Sequence, residues 1–190
     1  STVEFRNRLR HTLWIMPGVK EANALEKMLN DHPVFGMEYE IINAVKDGDN
    51  EGVASESDVS RVNDAIGNDP SKTKTITLTV RKLTTGVTIK PWTGVLFLSN
   101  TNSAMQYLQA AFRAQTPYSS ETFGEKTNCY IFDFAPDRAL TVMAASTQLN
   151  TGVGKRTSSA QKNQMAELMN FLPIIGETGN GMKPFKVDTM

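Results

Sequence analysis

Short apolar runs alternate with amphipathic segments along the first two thirds of this chain. Thr12 to Met16 is an apolar run that Pro17-Gly18 interrupts, and apolar side chains then recur at helical spacing from Val19 to Asp31. This pattern predicts a strand, a break and a helix. His32-Pro33 is predicted to end the helix, because a residue that precedes proline disfavours the helical conformation.

The alternation continues to residue 135. Because strands alternate with helices, we expect an α/β fold with an open, mainly parallel sheet and helices on both faces. The further predicted strands are Met37 to Ala44, Thr73 to Val80, Gly94 to Leu98 and Cys129 to Phe134; the further helices are Ser57 to Gly67 and Ser103 to Ala114; Lys46 to Ser57 is predicted to be a loop.

Residues 136–190 differ in character from residues 1–135. Two amphipathic helices, Pro136 to Leu149 and Ala160 to Leu172, are predicted on either side of a flexible segment rich in Gly, Ser and Thr. We therefore expect one α/β domain over residues 1–135 and a helical extension and linker over residues 136–190. The chain begins at Ser1 without an initiator methionine and ends in an extended segment, so we expect it to be a piece of a longer protein whose downstream region is missing.

Composition narrows the classes of function. Twenty Lys and Arg residues balance twenty Asp and Glu residues, so no global charge attracts the chain to nucleic acid, and any such contact must be local. Cys129 is the single cysteine, which excludes a disulfide within the chain and favours a reducing compartment. No apolar stretch reaches the roughly 20 residues that span a bilayer. We expect a cytoplasmic protein that does not contact a membrane.

The candidate chemistry lies between Thr73 and Pro117. Loops that follow the carboxyl ends of parallel strands lie along one edge of a sheet, so the turn Thr84-Thr85-Gly86 and the helix after the next strand are expected to share that edge. Glycine permits close approach of a backbone N–H to a phosphate, and the flanking hydroxyls add donors. Gln106 and Arg113, seven residues apart, are predicted to project from one helical face.

The order of these segments resembles a known family. Leu83-Thr84-Thr85-Gly86-Val87-Thr88-Ile89-Lys90-Pro91, then Val95-Leu96-Phe97-Leu98, then Gln106 to Pro117 is similar to the motif V and motif VI block of superfamily-two DEAD/DEAH-type helicases. The strand before Pro17-Gly18 and the helix after it resemble the motif IV region. The resemblance covers residues 10–135 and identifies a C-terminal RecA-like lobe. The amino-acid sequence of the segment similar to motif VI, Gln106 to Pro117, is most similar to that of restriction-enzyme-associated helicases.

The resemblance implies roles for individual residues. Motif V contacts a nucleic-acid backbone and the nucleotide site, which implies nucleic-acid contacts for Thr84, Thr85 and Thr88, with Pro17 and Gly18 on the same surface. Motif VI supplies an arginine to the γ-phosphate of ATP. The implied catalytic residues are Gln106 and Arg113, and the implied nucleotide-binding residues are Thr85, Gly86, Gln109 and Arg113.

Two departures from the family pattern leave details open. Counted from Gln106, the usual Gly-Arg pair of motif VI falls on Gln109 and Ala110, whereas counting from Gln109 places Arg113 four residues on. Arg113 is the best candidate in either register. Thr88 stands where the family often has an acidic residue, two positions after the motif V glycine.

The sequence lacks the other half of an ATPase site. There is no Gly-x-x-x-x-Gly-Lys-[Ser/Thr] loop to hold phosphates, and there is no acidic box for Mg²⁺ and the attacking water. We therefore expect the isolated chain to be inactive and to bind no cofactor. ATP and Mg²⁺ would be bound mainly by a missing N-terminal RecA-like lobe of the same parent chain, and the partner would be duplex DNA. No cluster of residues is predicted to bind a metal.

Two alternatives remain at this point. The domain could be a non-enzymatic Rossmann-like module, in which the Thr-Thr-Gly turn and the helix bearing Gln106 and Arg113 form a protein-binding surface. It could also be a free-standing nucleotide hydrolase, although the missing phosphate loop and acidic box argue against this. Trp92, next to the proposed binding edge, could stack on a base or simply pack in the core.

Overall fold

A computed structural model describes residues 2–46, 54–100, 103–135, 175–178 and 181–184. The chain divides into two compact units, Ser1–Phe134 and Ala135–Met190. The first unit holds every candidate site residue.

Five parallel strands form the centre of the first unit. The five strands are β1 (His11–Ile15), β2 (Glu40–Asn43), β3 (Thr75–Thr79), β4 (Gly94–Phe97) and β7 (Tyr130–Asp133). Their order across the sheet is β2-β3-β1-β4-β7, so β1 lies in the middle and pairs with β3 on one side and β4 on the other.

Helices cover both faces of this sheet. The apolar cluster on one face joins Ile76 and Leu78 of β3 to Ala22 and Leu29 of the first long helix. On the opposite face Phe97 of β4 stacks on Tyr107, with ring centroids 4.3 Å apart. The helices are α1 (Val3–Arg8), α2 (Val19–Asp31), α3 (Phe35–Glu38), α4 (Glu56–Ile66) and α5 (Ala104–Ala111), and a 3₁₀ helix (Phe112–Gln115) continues α5. The predicted α/β fold is confirmed.

Several predicted boundaries agree closely with the structure. Helix α2 spans the predicted range, and His32 after it is extended (φ −79°, ψ 131°), as expected for a residue before proline. Helix α4 starts one residue earlier than predicted, because Ser55 and Asp58 form a capping box that satisfies its first N–H groups.

The predicted strand from Met37 to Ala44 is wrong over its first three residues. Phe35–Glu38 is one helical turn, and the strand begins only at Glu40. The apparent alternation came from Met37, which is 86% exposed, and from Glu38, which pairs with Arg6 and Lys74 at 2.7 Å each. The ion pairs join residues that are distant in sequence. The periodicity of apolar and polar residues indicates neither these pairs nor the exposure of Met37.

Some elements were not predicted. They are helix α1, the short hairpin β5 (Ser119–Ser120) and β6 (Gly124–Glu125), and, in the second unit, the antiparallel pair β8 (Ile175–Thr178) and β9 (Gly181–Pro184). Each strand of these hairpins has only two to four residues, too few for a periodic pattern. The helices predicted at Pro136 to Leu149 and Ala160 to Leu172 lie outside the described residues.

Candidate functional site

The loop from residue 80 to residue 93 forms the core of the candidate site. It leaves the carboxyl end of β3 and returns to the amino end of β4, on the far side of the central strand β1. Thr85 and Gly86 at its tip are exposed and Thr84 is half-buried, whereas Leu83 before them and Val87 after them are buried. The loop therefore presents three small residues between two buried anchors.

Backbone conformation defines this tip. Leu83 has a φ of +64° and Gly86 a φ of +68°, so two left-handed residues enclose Thr84 and Thr85. Leucine rarely adopts this conformation, and such outliers concentrate at ligand-binding sites. The Thr84 hydroxyl donates back to the carbonyl of Arg81 at 2.6 Å, which closes the turn. Glycine adopts a positive φ readily, so the conformation of Gly86 agrees with its residue type. The left-handed leucine has no sequence signature.

Lys82, directly before the buried Leu83, fixes the first end of the loop. Its carbonyl accepts a hydrogen bond from the Thr79 hydroxyl at 2.5 Å, and its ammonium lies 3.3 Å from the Asp58 carboxylate. The Lys82 and Asp58 side chains are only 9% and 8% exposed. Burial by itself raises the pKa of Asp58, but hydrogen bonds from Ser55 and the nearby Lys82 lower it, and the net shift is downward. The Asp58 carboxylate is therefore favoured in its charged form in the folded protein.

The second anchor of the loop involves Arg113. Its guanidinium donates from Nη1 to the carbonyl of Val87 and from Nε to the carbonyl of Gln109 at 3.0 Å. The first bond joins the loop to the 3₁₀ helix that continues α5. The second joins the Arg113 side chain to the last turn of α5. The structure therefore brings into contact the loop around Thr84-Thr85-Gly86 and the helical segment around Arg113.

Lys126 reinforces the same junction. From the end of the β5–β6 hairpin its ammonium donates to the carbonyls of Lys90 (2.8 Å), Trp92 (3.0 Å) and Ala114 (3.0 Å). Burial lowers the pKa of Lys126. Sequence reasoning missed this residue, because a lysine that binds backbone carbonyls belongs to no sequence pattern.

The predicted helix residues occupy different environments. Ser103 caps α5 by accepting from the Gln106 N–H at 3.3 Å. Gln106 is exposed, whereas Gln109 and Arg113 are half-buried. The α helix changes to a 3₁₀ helix at Phe112, with about three residues per turn instead of 3.6. The seven-residue spacing of Gln106 and Arg113 therefore does not by itself place them on one face.

The remaining predicted residues lie at the ends of the same strands. Pro17 is exposed and Gly18 half-buried in the connection from β1 to α2, and Thr88 is exposed in the loop after β3. Gly18 is extended (φ −164°) and forms the N-cap of α2. Because β1 and β3 are adjacent and parallel, both connections leave the sheet at its carboxyl edge.

Two other side chains have structural roles. Trp92 is fully buried, so it packs in the core and cannot stack on a base in this conformation. His11 is also fully buried and contacts the Thr75 hydroxyl (3.0 Å) and the Pro70 carbonyl (2.8 Å). Across the ranges that the structure covers, no three His, Cys, Asp or Glu residues are grouped to hold a metal ion, and no helix is long and apolar enough to cross a membrane.

Comparison with known proteins finds a relative among restriction enzymes. No protein-family model matches the chain. It is 33% identical over 166 residues to a Mycoplasma pneumoniae protein that is provisionally named as the C-terminal part of a type II restriction enzyme and methyltransferase. The match covers 87% of this chain but only 22% of that protein. The predicted similarity to restriction-enzyme proteins is confirmed, and the chain spans about a fifth of this relative's length.

Two solved structures are similar at a lower level. One is a fragment of a provisionally described HsdR subunit of a type I restriction enzyme from Vibrio vulnificus, with 18% identity, a TM-score of 0.48, and coverage of 73% of this chain and 26% of that one. The other is the ATP-dependent Type ISP restriction-modification enzyme LlaBIII bound to DNA, with 16% identity, a TM-score of 0.49, and coverage of 85% and 10%. Similarity at this level does not establish a shared function.

Proposed function

We propose that this chain is the second motor lobe of an ATP-dependent DNA helicase or translocase. The proposal is supported by the similarity of 87% of this chain to part of a restriction enzyme and methyltransferase. Residues 1–135 would form the RecA-like lobe. A first lobe of the same parent chain would supply the phosphate loop and the Mg²⁺ ligands that this sequence lacks. The activity then belongs to the two lobes together.

The observation that carries the proposal is the hydrogen bond from Arg113 to the carbonyl of Val87. A motor must couple its nucleotide site to its DNA contacts, and this bond links the helix proposed for the first role to the loop proposed for the second. Lys126 links the same two segments through Ala114, Lys90 and Trp92. Movement of one segment is therefore transmitted to the other.

The proposed DNA contacts come from small polar groups. Thr84, Thr85 and Gly86 form a turn in which the Thr85 hydroxyl and the backbone N–H groups of Thr85 and Gly86 can donate to phosphate oxygens, while Thr84 closes the turn. Thr88, Pro17 and Gly18 would extend this surface along the same edge of the sheet. With a formal net charge of zero, the chain would hold the DNA backbone by such local donors rather than by a general positive field.

The proposed nucleotide contacts centre on Arg113. A guanidinium has five N–H donors, and two bonds to carbonyls leave donors that can reach a phosphate when the lobes close. In the reaction, water attacks the γ-phosphorus and the bond to the β-phosphate oxygen breaks, giving ADP and phosphate. Arg113 would stabilise the charge that develops on the γ-phosphoryl oxygens. Gln106 and Gln109 would line this site, with Thr85 and Gly86 opposite.

Lobe closure would convert hydrolysis into movement. ATP would bind mainly to the first lobe and draw this lobe towards it, and hydrolysis would release the contact, so that the lobes ratchet along DNA. The loop held by Arg113 would follow each step.

A direct test uses the parent protein with its first lobe present. ATP hydrolysis is measured with and without duplex DNA for the wild type and for Thr85→Val, with Thr127→Val as a matched control at an exposed threonine outside the loop. We expect Thr85→Val to lose most of the stimulation by DNA while Thr127→Val retains it. Equal stimulation in all three proteins would remove the turn from the DNA contact.

A further inference from the structure

A buried ion pair stands directly before the proposed DNA-binding turn. The Lys82 ammonium lies 3.3 Å from Oδ2 of Asp58, and both side chains are less than a tenth exposed. The same carboxylate oxygen accepts from the N–H of Ser55 at 3.0 Å and from its hydroxyl at 2.8 Å. One carboxylate thus completes the cap of α4 and holds the loop that follows β3.

The turn beyond this pair is held in an uncommon conformation. Leu83 is left-handed (φ +64°) and completely buried, although a leucine in this conformation is strained. Burial of its side chain opposes the strain, but burial alone does not fix the direction in which the chain leaves the core. Anchors on the preceding residue do this: the Thr79 hydroxyl holds the carbonyl of Lys82, and Asp58 holds its side chain.

The direction in which the backbone leaves the core after Leu83 determines the position of the exposed turn. Thr84, Thr85 and Gly86 follow Leu83 without a buried side chain of their own until Val87. A change in the backbone at Lys82 or Leu83 would therefore rotate the exposed donors as a group. Lys82 itself is too buried to reach a phosphate from solvent.

We infer that Lys82 and Asp58 are positioning residues, which set the Thr84-Thr85-Gly86 turn for binding a nucleic-acid backbone through the capped end of α4. Neither residue would contact DNA. The inference rests on the proposed function for its ligand, but the conformation of the turn can be measured without DNA. It also assigns α4, which carries no predicted site residue, a part in the site.

The test compares the parent protein with Lys82→Met, with Asp58→Asn and with the double variant. Methionine keeps the length of the lysine chain, and asparagine keeps a carbonyl acceptor for the cap. Affinity for a short fluorescein-labelled DNA duplex is measured over a range of salt concentrations. We expect Lys82→Met to weaken binding by about five- to tenfold, the effect of losing one or two good hydrogen bonds. The double variant should bind no more weakly than Lys82→Met, because both changes break one interaction.

Salt dependence separates positioning from direct contact. Removing a cation that binds phosphate lowers the slope of log affinity against log salt by about one. A positioning lysine leaves that slope unchanged. A slope reduced by one in Lys82→Met would show a direct phosphate contact and overturn the inference.

Val62→Ala is the control for general loss of stability. Val62 is fully buried in the same helix α4, and its truncation leaves a cavity without altering the ion pair. This variant should keep wild-type DNA affinity. An equal loss of affinity in Val62→Ala and Lys82→Met would also overturn the inference.

Amide hydrogen exchange makes the inference independent of the proposed function. Exchange at the Thr84 amide, which donates to the carbonyl of Arg81 at 3.4 Å, should accelerate in Lys82→Met relative to Val62→Ala. Unchanged exchange would overturn the inference even if the protein binds DNA. If the wild type binds no DNA but exchange accelerates, the proposed function fails while the positioning role stands.

Discussion

The guanidinium of Arg113 donates to the main-chain carbonyl of Val87, although 26 residues separate the two in sequence. The bond joins the end of helix α5 to the buried residue that follows the exposed turn. An arginine in this position serves the fold by satisfying a buried carbonyl. In the proposed motor the same arginine would also couple the binding and hydrolysis of ATP to the conformation of the loop.

Replacing Arg113 by alanine is therefore expected to have two effects. ATP hydrolysis by the parent protein should fall about 1000-fold or more, the usual effect of removing an arginine from a phosphoryl-transfer site. The free energy of unfolding should fall by about 1–3 kcal/mol, because the carbonyl of Val87 loses a buried donor. Steady-state hydrolysis and urea unfolding measure the two effects. Normal turnover in Arg113→Ala would remove this residue from the mechanism.

Gly86→Ala tests the conformation of the turn. Alanine at a φ of +68° costs about 1–2 kcal/mol, so the variant should unfold more easily and bind duplex DNA more weakly than the wild type. Gly124→Ala is a matched control, since Gly124 has a φ of +77°, has open space around it and lies in the β5–β6 hairpin. It should lose similar stability but keep its DNA affinity. Equal affinities in the two variants would contradict the assignment of the turn.

Lys126→Met tests the junction between the loop and α5. Three carbonyls lose their shared donor, two of them in part-buried bonds, so the variant should be less stable by about 1–3 kcal/mol. Urea unfolding measures the loss. Lys90→Met provides a control, because the Lys90 side chain is exposed and the substitution keeps the carbonyl that Lys126 contacts. Equal stability in both variants would show that the three bonds contribute nothing.

The buried His11 should make the fold sensitive to acid. Burial, with a smaller contribution from Arg10, lowers its pKa from 6.5 to about 4. Between these two pH values the unfolded chain binds a proton that the folded chain excludes, so the free energy of unfolding decreases as pH falls from 6.5 to 4. The loss should approach about 3 kcal/mol at pH 4. Above pH 6.5 the histidine is neutral in both states and contributes no pH dependence.

Urea unfolding at a series of pH values checks this expectation. His11→Gln removes the titrating group, and its stability should change less between pH 6.5 and pH 4 than that of the wild type. Parallel pH profiles for the two proteins would show that another group accounts for the acid sensitivity.

How far the sequence predicts this molecule depends on the range of the interactions. Helix α2 and strands β1, β3 and β4 were predicted within one or two residues, because each has a continuous apolar pattern and a local stop such as Pro17-Gly18 or Pro33. The parallel order of the strands also predicted that the connection containing Thr84 to Gly86 leaves the sheet at the carboxyl end of β3. These features are encoded locally.

The rest depends on contacts between distant residues. Lys82 meets Asp58 across 24 positions, and Lys126 meets Lys90 across 36, so neither partnership can be read from spacing. The left-handed Leu83 breaks the usual preference of its residue type, and it is held by burial of its side chain and by the contacts of Lys82 before it. The bond between Arg113 and Val87 is likewise a tertiary contact, although the resemblance to a helicase family had already singled out both segments.

The central claim is that this chain is one half of a DNA-dependent ATPase. The measurement that tests it most directly is ATP hydrolysis, with and without duplex DNA, by the 190-residue chain and by the parent protein that contains a first lobe. We predict hydrolysis stimulated by DNA in the parent protein and none in the 190-residue chain. The absence of hydrolysis from both proteins would contradict a motor function and favour a protein-interaction module, and hydrolysis by the 190-residue chain alone would contradict the half-site account.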